Sequence, residues 1–337
     1  MFSFAIGVGT KDSAGNWLEV FYPNPALNPD AGSLATALAG LGYAGGNMAI
    51  EPDQEQLARF LESCPAALAD GLDQLASSNR PVVAVVLETD DKPASVPEGY
   101  LKLHLLSHRL VKPHGLNLDG LFAVLPNVAW TSHGAIAIDE LEERQLQTRL
   151  TGNTIDVQSV DKFPKMTNYV VPKGVRIADT SRVRLGAYIG EGTTIMHEGF
   201  VNFNAGTAGT AMIEGRISAG VFVGNNSDLG GGCSIMGTLS GGGKEVISVG
   251  EDCLIGANAG LGFPLGDRCT IEAGLYVSAG SKVTVMDSEL NPVEVVKARE
   301  LSNKSDLLFI RNSTTGVVEC RTNKSKFELN AELHSHN

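Results

Sequence analysis

The sequence predicts a mainly β protein, in which a parallel β-helix is preceded by an α/β domain and followed by a small β-rich extension. The prediction depends on a six-residue repeat of branched apolar residues between residues 171 and 285. A small residue usually stands four positions after each of these anchors, and glycine often follows the anchor directly, as at Gly190 and Gly256. The anchors, in four successive frames, are Val171, Ile177, Val183, Ile189, Ile195 and Val201; Ile217, Val223, Leu229 and Ile235; Val249, Ile255 and Leu261; and Leu265, Ile271, Val277 and Val283.

A period of six matches neither the α-helix nor the plain alternation of a β-strand. It is typical of a parallel β-helix, in which three hexads form one triangular coil. The branched anchor fills the interior behind each flat side, and the small residue fits the tight corner. Stacked coils pair their backbones in parallel, so that their polar groups are satisfied between coils. A glycine-rich disordered linker is the alternative, but the regular anchors disfavour it.

The repeat divides the chain into four regions. We expect an α/β domain over residues 1–150, a packed connection over 151–170, the β-helix over 171–285 and the extension over 286–337. The connection is neither rich in proline and serine nor strongly charged, which disfavours a free tether. The predicted strands outside the repeat are Phe4–Val8, Trp17–Phe21, Pro81–Leu87, Val293–Val296, Leu307–Ile310 and Gly316–Cys320. The predicted helices are Gln54–Ser63, Ala66–Ala76, Tyr100–Leu110, Ile138–Leu150 and a short one in the tail around Leu329 and Leu333.

Charge and composition limit the classes of partner. The formal net charge of −12 disfavours nucleic acid and anionic membranes as general partners. No apolar run approaches the ~20 residues that span a bilayer, and the N-terminus lacks the features of a signal peptide. The five cysteines contain no CxxC pair, and Cys233, Cys253 and Cys269 fall on the small corner slot, where packing is their expected role. We therefore expect a cytoplasmic protein with reduced thiols.

Two interruptions of the repeat suggest loops. The hexad order loosens across Thr207–Ile213 and again across Gly237–Glu245. Loops that leave a regular solenoid often carry a binding site. Gly241–Gly243 would allow a mobile flap or a close approach of the backbone to a ligand. A tolerated insertion without function is the alternative.

The densest group of polar residues lies over residues 196–207. Glu198 occupies the fourth slot of its hexad, so that its side chain should point away from the core. Beside His197, Asn202 and Asn204, this carboxylate could act as a general base, orient an amine or take up an acyl group. By position alone, a solvated corner glutamate is the more common outcome.

A second polar group follows at Glu214, Arg216 and Ser218. Arg216 could bind a substrate carboxylate through two parallel hydrogen bonds. Alternatively, it could form no more than a surface ion pair with Glu214. Arg182 and Arg184 are weaker candidates of the same kind.

Several chemistries are disfavoured by the residues available. A zinc site of the hexapeptide carbonic anhydrase kind requires three converging histidines, whereas the repeat contains only His197. The sequence has no nucleophile elbow for Ser-His-Asp catalysis. It also has neither a Walker A sequence nor a convincing strand–GxGxxG–helix unit.

Long stretches of the chain are specific to one family. The chain resembles the longer of the two sequence types of tetrahydrodipicolinate N-succinyltransferase, a hexapeptide-repeat acyltransferase. The resemblance covers nearly the whole chain. The stretches that carry it are YLKLHLLSHRLVKPH, LPNVAWT, VDKFPKM, VRLGAYIGEGTTIMHEGFVNFNAGT, IEGRISAGVFVG and SIMGTLSGGGKEVISVGEDCLIGANAGLG.

The resemblance implies a left-handed β-helix and a homotrimer with its site between neighbouring β-helices. It also implies transfer of a succinyl group from succinyl-CoA to the amine of 2-amino-6-oxopimelate, the ring-opened form of tetrahydrodipicolinate, in lysine and diaminopimelate synthesis. Glu198 matches the family's catalytic position, either as the base of a direct attack or as the carrier of an acyl anhydride. The sequence leaves open whether Mg²⁺ is bound. The alternatives are an acyltransferase for another amine, such as a nucleotide sugar, and a β-helical scaffold without turnover.

We expect the acyl donor to lie in an extended groove along the coils. Small residues let the backbone approach the pantetheine arm, whose amides require matched donors and acceptors. The predicted donor contacts are Ser218 near the acyl end, Gly241, Gly242, Gly243, Lys244, Gly256, Ala257 and Asn258. The predicted acceptor contacts are Arg184, Asn202, Asn204, Arg216 and Ser218. Arg268 and Lys282 are weaker candidates for contacts with the phosphates.

Overall fold

The computed structural model describes residues 1–69, 71–237 and 245–323 of the chain. They form two compact units. The first unit comprises residues 1–111 and 115–164, and the second comprises residues 112–114 together with the chain from Lys165 onward. The predicted tail helix around Leu329 and Leu333 lies outside the described residues.

The first unit is an α/β domain with two antiparallel sheets. Its strands are β1 Ser3–Lys11, β2 Trp17–Phe21, β3 Ala26–Leu27, β4 Met48–Ile50, β5 Val82–Leu87, β6 Val128–Thr131, β7 Gly134–Ala137 and β8 Val157–Asp161. Its helices are α1 Ala31–Gly40, α2 Gln54–Ser63, α3 Ala66–Ala69, α4 Val96–Ser107, α5 Leu121–Val124 and α6 Ile138–Leu150. The larger sheet has the order β2-β1-β5-β4, with β3 on β1, and the smaller has the order β7-β6-β8.

The core of this unit lies between the larger sheet and helices α1 and α2. The predicted helix Gln54–Ser63 is confirmed, because Asp53 caps its first turn and the Gln56 side chain bonds back to the cap. Helix α4 begins at Val96, before the predicted start, since Ser95 accepts a hydrogen bond from Glu98 N and acts as the cap. The buried core residues include Phe4, Ile6, Leu34, Leu38, Phe60 and Val86.

Two sequence-based boundaries differ from the structure. The predicted helix Ala66–Ala76 is wrong over its second half, where a 3-10 helix runs from Leu72 to Ser77 after Gly71, whose φ is 71°. A positive φ is costly for a helix but accessible to glycine. Strand β8 lies within the range predicted as a connection, and it pairs with β6. That part of the connection is therefore an integral strand of the first unit.

The second unit contains a β-helix with three parallel sheets, one for each face of its coils. Face 1 consists of β10 Ala187–Ile189, β13 Ala205–Thr207, β16 Phe222–Val223 and β19 Ser248–Val249. Face 2 consists of β9 Arg176–Ile177, β11 Thr193–Ile195, β14 Ala211–Ile213, β17 Ser227–Leu229, β20 Leu254–Ile255 and β22 Thr270–Ile271. Face 3 consists of β12 Phe200–Val201, β15 Arg216–Ile217, β18 Ser234–Ile235, β21 Gly260–Gly262 and β23 Tyr276–Ser278.

The extension continues the sheet of face 2. Its strands are β24 Lys282–Met286, β25 Pro292–Lys297, β26 Leu307–Arg311 and β27 Val318–Thr322. Strand β26 pairs in parallel with β22, while β24 with β25 and β26 with β27 form antiparallel pairs. The three predicted strands of the extension are confirmed, and the switch to antiparallel pairing explains why the hexads stop near residue 285.

The anchors from Val183 to Val283 are buried, as the repeat predicts. Ile177 is half-buried. Val171 has an exposure of 70%, and the prediction that it is an interior anchor is wrong. The first strand of the β-helix begins at Arg176. Because β9 is the terminal strand of its face, no earlier coil covers Val171.

The number of residues in a coil changes along the β-helix, and it determines which residues of neighbouring coils lie side by side. A coil of three full hexads pairs Ala187 with Ala205. A coil of the same length would pair Phe200 with Ser218. The corner between Ile213 and Ile217 is shorter than a full hexad allows, however, and Phe200 pairs with Arg216 instead.

The predicted loosening across Thr207–Ile213 is therefore wrong. Both of these residues are buried in the interior, and they belong to strands β13 and β14. The irregularity follows them, at Glu214–Gly215. By contrast, the interruption across Gly237–Glu245 is confirmed by register. Phe222 pairs with Ser248, whereas a coil of three full hexads would pair it with a residue inside the interruption.

The described helices are short. The longest, α6, has 13 residues. Within the part of the chain that the structure describes, no helix has both the length and the apolar character needed to cross a membrane.

Candidate active site

The corner that follows face 2 carries two acidic residues, Glu198 and Glu214, on neighbouring coils. The registers of the neighbouring faces stack one small or acidic residue from each coil in this corner. We call this column the acidic corner, and its members are Glu198, Glu214, Gly231, Ala257 and Ala273.

The two carboxylates of the acidic corner face one small space. A methyl group on Gly231 would lie 3.4 Å from Glu214 Oε2 and 3.8 Å from Glu198 Oε2. The side chain of Glu198 is 62% exposed, with His197 Nε2 at 3.8 Å, whereas Glu214 is half-buried. Among the described residues, none donates a hydrogen bond to either carboxylate. Both can therefore accept protons from a ligand.

Arg182 holds the backbone of this corner. Its guanidinium donates to the carbonyl oxygens of Glu198 at 2.9 Å and Gly199 at 3.1 Å. These bonds fix the turn that presents the Glu198 side chain. The geometry therefore gives Arg182 a structural role beside the carboxylates.

A third carboxylate lies close to the acidic corner. Asp228 points outward from the centre of β17, where Met212 and Leu254 are its register partners on the neighbouring strands. Burial, with a smaller contribution from the charge of Glu214, raises the pKa of Asp228 to about 6. Burial, with the same two acids, also raises the pKa of the Cys233 thiol to about 12. Cys233 is therefore a protonated packing residue and not a nucleophile.

Arg216 extends the site onto face 3. It is exposed at the start of β15, and its Nη2 donates to Ser234 Oγ at 2.6 Å. Its described partner is thus a hydroxyl group and not Glu214, which was the alternative expected from the sequence. The positive charge of Arg216 remains available to a substrate anion.

The opposite end of face 3 holds the other predicted acceptor residues. We call the corner after face 3 the amide corner, defined by Asn202, Asn204, Ser218 and Gly220. The Asn202 side chain accepts from Arg184 Nη1 at 3.1 Å and from Phe203 N at 2.9 Å. The Ser218 hydroxyl donates to Ile235 O at 2.6 Å.

The amide corner is also bonded to a segment that sequence reasoning missed. His114 donates its backbone N–H to Asn204 Oδ1 at 2.9 Å, and its Nε2 lies 2.7 Å from Gly220 O. His114 belongs to the short segment 112–114 of the second unit. Nothing in the hexad pattern indicates this contact, because His114 lies outside the repeat. The amide corner therefore binds the 112–114 segment to the coils. It lies at the other end of the strand that follows Glu198.

The predicted donor contacts divide between described and undescribed residues. Gly256, Ala257 and Asn258 lie at the acidic corner. A Cβ on Gly256 would come within 2.4 Å of Ala273 N, so this glycine is required by close stacking of the coils. Gly241, Gly242, Gly243 and Lys244 lie outside the described residues.

Two further predictions concern ions. The guanidinium of Arg268 binds Asp306 through both Nε and Nη2, at 2.7 and 2.9 Å, which leaves it poorly placed for a phosphate. Within the described residues of one chain, no group of three or more His, Cys, Asp or Glu side chains could hold a metal ion. We therefore assign no ligands for Mg²⁺.

Comparisons with known proteins identify the family of the chain. The family model described as tetrahydrodipicolinate N-succinyltransferase middle matches residues 125–165, and that of the hexapeptide repeat of succinyl-transferase matches residues 246–279. Relatives from Pseudomonas putida and Vibrio cholerae, both named 2,3,4,5-tetrahydropyridine-2,6-dicarboxylate N-succinyltransferase, are 64% and 59% identical over 100% of this chain and 99% of theirs. A crystal structure from Campylobacter jejuni, described as a 2,3,4,5-tetrahydropyridine-2-carboxylate N-succinyltransferase, has a TM-score of 0.89 and 32% identity, over 96% of this chain and 93% of that one.

These findings confirm the expected fold class and enzyme class. The fold is a left-handed parallel β-helix with an N-terminal α/β domain and a β-rich extension. The likeness to the named relatives extends over the full length of the chain. The chain therefore belongs to the tetrahydrodipicolinate N-succinyltransferase family.

Proposed function

We propose that the chain transfers a succinyl group from succinyl-CoA to the amine of 2-amino-6-oxopimelate, in lysine and diaminopimelate biosynthesis. Family membership supports the reaction and an acyl-CoA donor. The observation that carries the site is the stacking of Glu198 and Glu214 at the acidic corner. Two carboxylates that accept no hydrogen bond from described residues are suited to an amine that must lose a proton before it attacks.

The reaction requires a base, an attack and a leaving group. A carboxylate removes a proton from the substrate ammonium, and the free amine attacks the thioester carbonyl. When the tetrahedral intermediate collapses, the C–S bond breaks, the attacking nitrogen gives up its second proton to leave the amide, and the CoA thiolate takes up one proton to leave as the thiol. Transfer through an acyl anhydride on the carboxylate is the alternative route, and hydroxylamine trapping of a protein adduct distinguishes the two.

We assign the base to the carboxylate pair. The sequence selected Glu198, and that assignment stays a prediction. Glu214 is the second candidate, because it is half-buried and a less exposed carboxylate is held more firmly in place for proton transfer. Arg216, two residues further on, is placed to bind a carboxylate of the acceptor.

The donor, the assembly and the compartment complete the proposal. The succinyl-CoA arm follows the small residues of the acidic corner past Ala257.

A homotrimer completes the site with a neighbouring β-helix. Native mass measurement tests this assembly, since a stable and active monomer would contradict it. All five cysteines are free thiols, which supports a cytoplasmic location.

A thiol-release assay tests the reaction. Succinyl-CoA with 2-aminopimelate, a stable acceptor analogue, should release CoA thiol, and acetyl-CoA or glutaryl-CoA should be poorer donors. Nucleotide-sugar amines serve as alternative acceptors. Release with those amines alone would favour the other acyltransferase class, and no release with any pair would favour a scaffold without turnover.

A further inference from the structure

Face 3 presents one aligned row of outward residues. Phe200, Arg216, Ser234, Gly260 and Tyr276 pair in register on five successive strands. The residue that follows each of them is a buried anchor, and strand alternation therefore turns the row outward. Along the row, the guanidinium of Arg216 and the hydroxyl group of Ser234 are followed by Gly260 and then by the aromatic ring of Tyr276.

The ring of Tyr276 lies against Gly260. A Cβ on Gly260 would be 2.1 Å from Cδ2 and 2.2 Å from Cε2 of Tyr276. Gly260 does not have a positive φ, so the ring, and not the backbone conformation, requires glycine at this position. Gly262, the other outward residue of β21, is covered by Met236, whose Sδ would be 2.8 Å from a Cβ. Although it is held in this way, Tyr276 is still 47% exposed.

We propose that Tyr276 is a positioning residue for the acyl donor, with its exposed ring supporting the pantoyl end of the pantetheine arm. The inference rests on the proposed function. Tyr276 is three strands from Arg216, which at ~4.8 Å per strand places the ring ~14 Å along the β-helix axis. A thioester held near Glu214 would let an extended pantetheine arm run along the coils toward this ring.

The chemistry of the arm fits the row. The pantoyl group carries two methyl groups on one carbon, and this apolar end suits the face of an aromatic ring. Because the Tyr276 ring already packs against Gly260 in the absence of the donor, its side chain loses little conformational freedom when the donor binds.

Donors of different length locate the contact. Tyr276→Ala should raise KM about tenfold for succinyl-CoA and for succinyl-pantetheine, with kcat and the acceptor KM unchanged. Succinyl-N-acetylcysteamine lacks the pantoyl group, so its KM should not move. Tyr276→Phe keeps the ring and should match the wild type. Unchanged KM values for all donors would overturn the proposal. A rise for succinyl-CoA alone would also overturn it, because the ring would then contact the nucleotide and not the pantoyl group.

Matched variants control for folding and for the proposed function itself. Tyr276→Leu keeps an apolar cover on Gly260 and should give the same rise if Tyr276→Ala loses its assembly. Phe122→Ala removes an aromatic ring of 56% exposure in the first unit and should leave every KM unchanged. If the wild type turns over no succinyl donor, the proposed function fails, and calorimetry with CoA then decides the role of Tyr276. Weaker CoA binding by Tyr276→Ala supports the role; equal binding, or none by the wild type, overturns it.

Discussion

The two corners that flank face 3 use polar side chains in opposite ways. At the amide corner, Asn202, Asn204 and Ser218 each form hydrogen bonds that join neighbouring coils or the 112–114 segment. At the acidic corner, Glu198 and Glu214 receive no hydrogen bond from the described residues, although they face the same space.

This difference separates structural from chemical roles. A side chain whose hydrogen-bonding groups are already paired contributes mainly to stability. A carboxylate without such bonds can take a proton or hold a cation at no cost to the fold. The polar residues of 196–207 are therefore divided between two corners, one with unbonded carboxylates and one whose side chains join the coils. The acceptor contacts predicted for Asn202 and Asn204 stay predictions.

The largest effect should come from the acidic corner. At the residue that serves as base, Glu→Gln keeps the shape but removes proton acceptance, so kcat should fall about 10²–10⁴-fold with little change in KM. Glu198→Gln and Glu214→Gln are the matched pair, assayed by thiol release. The variant with the larger loss identifies the base, and circular dichroism should be unchanged for both. Near-normal turnover in both variants would show that the acidic corner does not supply the base.

A smaller effect is expected at Arg216. Arg216→Ala removes the cation proposed to bind the acceptor carboxylate, and the acceptor KM should rise about tenfold. Initial rates at varied acceptor concentration measure it, with Arg184→Ala as the control, because Arg184 is already bonded to Asn202. An acceptor KM that rises equally in both variants would argue against a specific clamp.

The amide corner should respond in stability and not in rate. Asn204→Ala leaves His114 N without its acceptor, which should cost about 1–2 kcal/mol of unfolding free energy. Denaturant unfolding measures the loss, and kcat per folded enzyme should stay within about twofold. A large loss of kcat with unchanged stability would instead return Asn204 to the acceptor site.

The smallest effect concerns pH. The folded-state pKa of Asp228 is raised from 3.8 to about 6, so the folded state binds the proton more tightly. The resulting stability is present below pH 4 and is lost as the pH rises through 6. Asp228→Asn should remove this loss and stabilise the protein above pH 6 by on the order of 1 kcal/mol, after allowance for solvent screening.

Thermal unfolding at pH 5 and pH 7 checks this sign. Asp287 provides the matched control, since hydrogen bonds from Asn291 lower the pKa of its carboxyl group. Asp287→Asn should therefore not stabilise the protein at pH 7. Equal shifts in the two variants would show that the burial of Asp228 does not control the pH dependence.

The sequence by itself determined the β-helix. A branched apolar residue at every sixth position can be buried only if each hexad forms one side of a coil, and the anchors from Val183 to Val283 are buried as this requires. The same pattern located the long insertion before Ser248 and the exposure of Glu198. These features depend on local spacing, which the sequence contains directly.

Only the tertiary structure decided which residues stack. A strict coil of three full hexads would place Glu198 beside Arg216, whereas the short corner after Ile213 places it beside Glu214. The contact of Tyr276 with Gly260 has the same origin. Stacking depends on the summed length of three corners, and a corner can be shortened without disturbing the interior. The hexad pattern therefore predicts the coils but not the neighbours that each coil brings together.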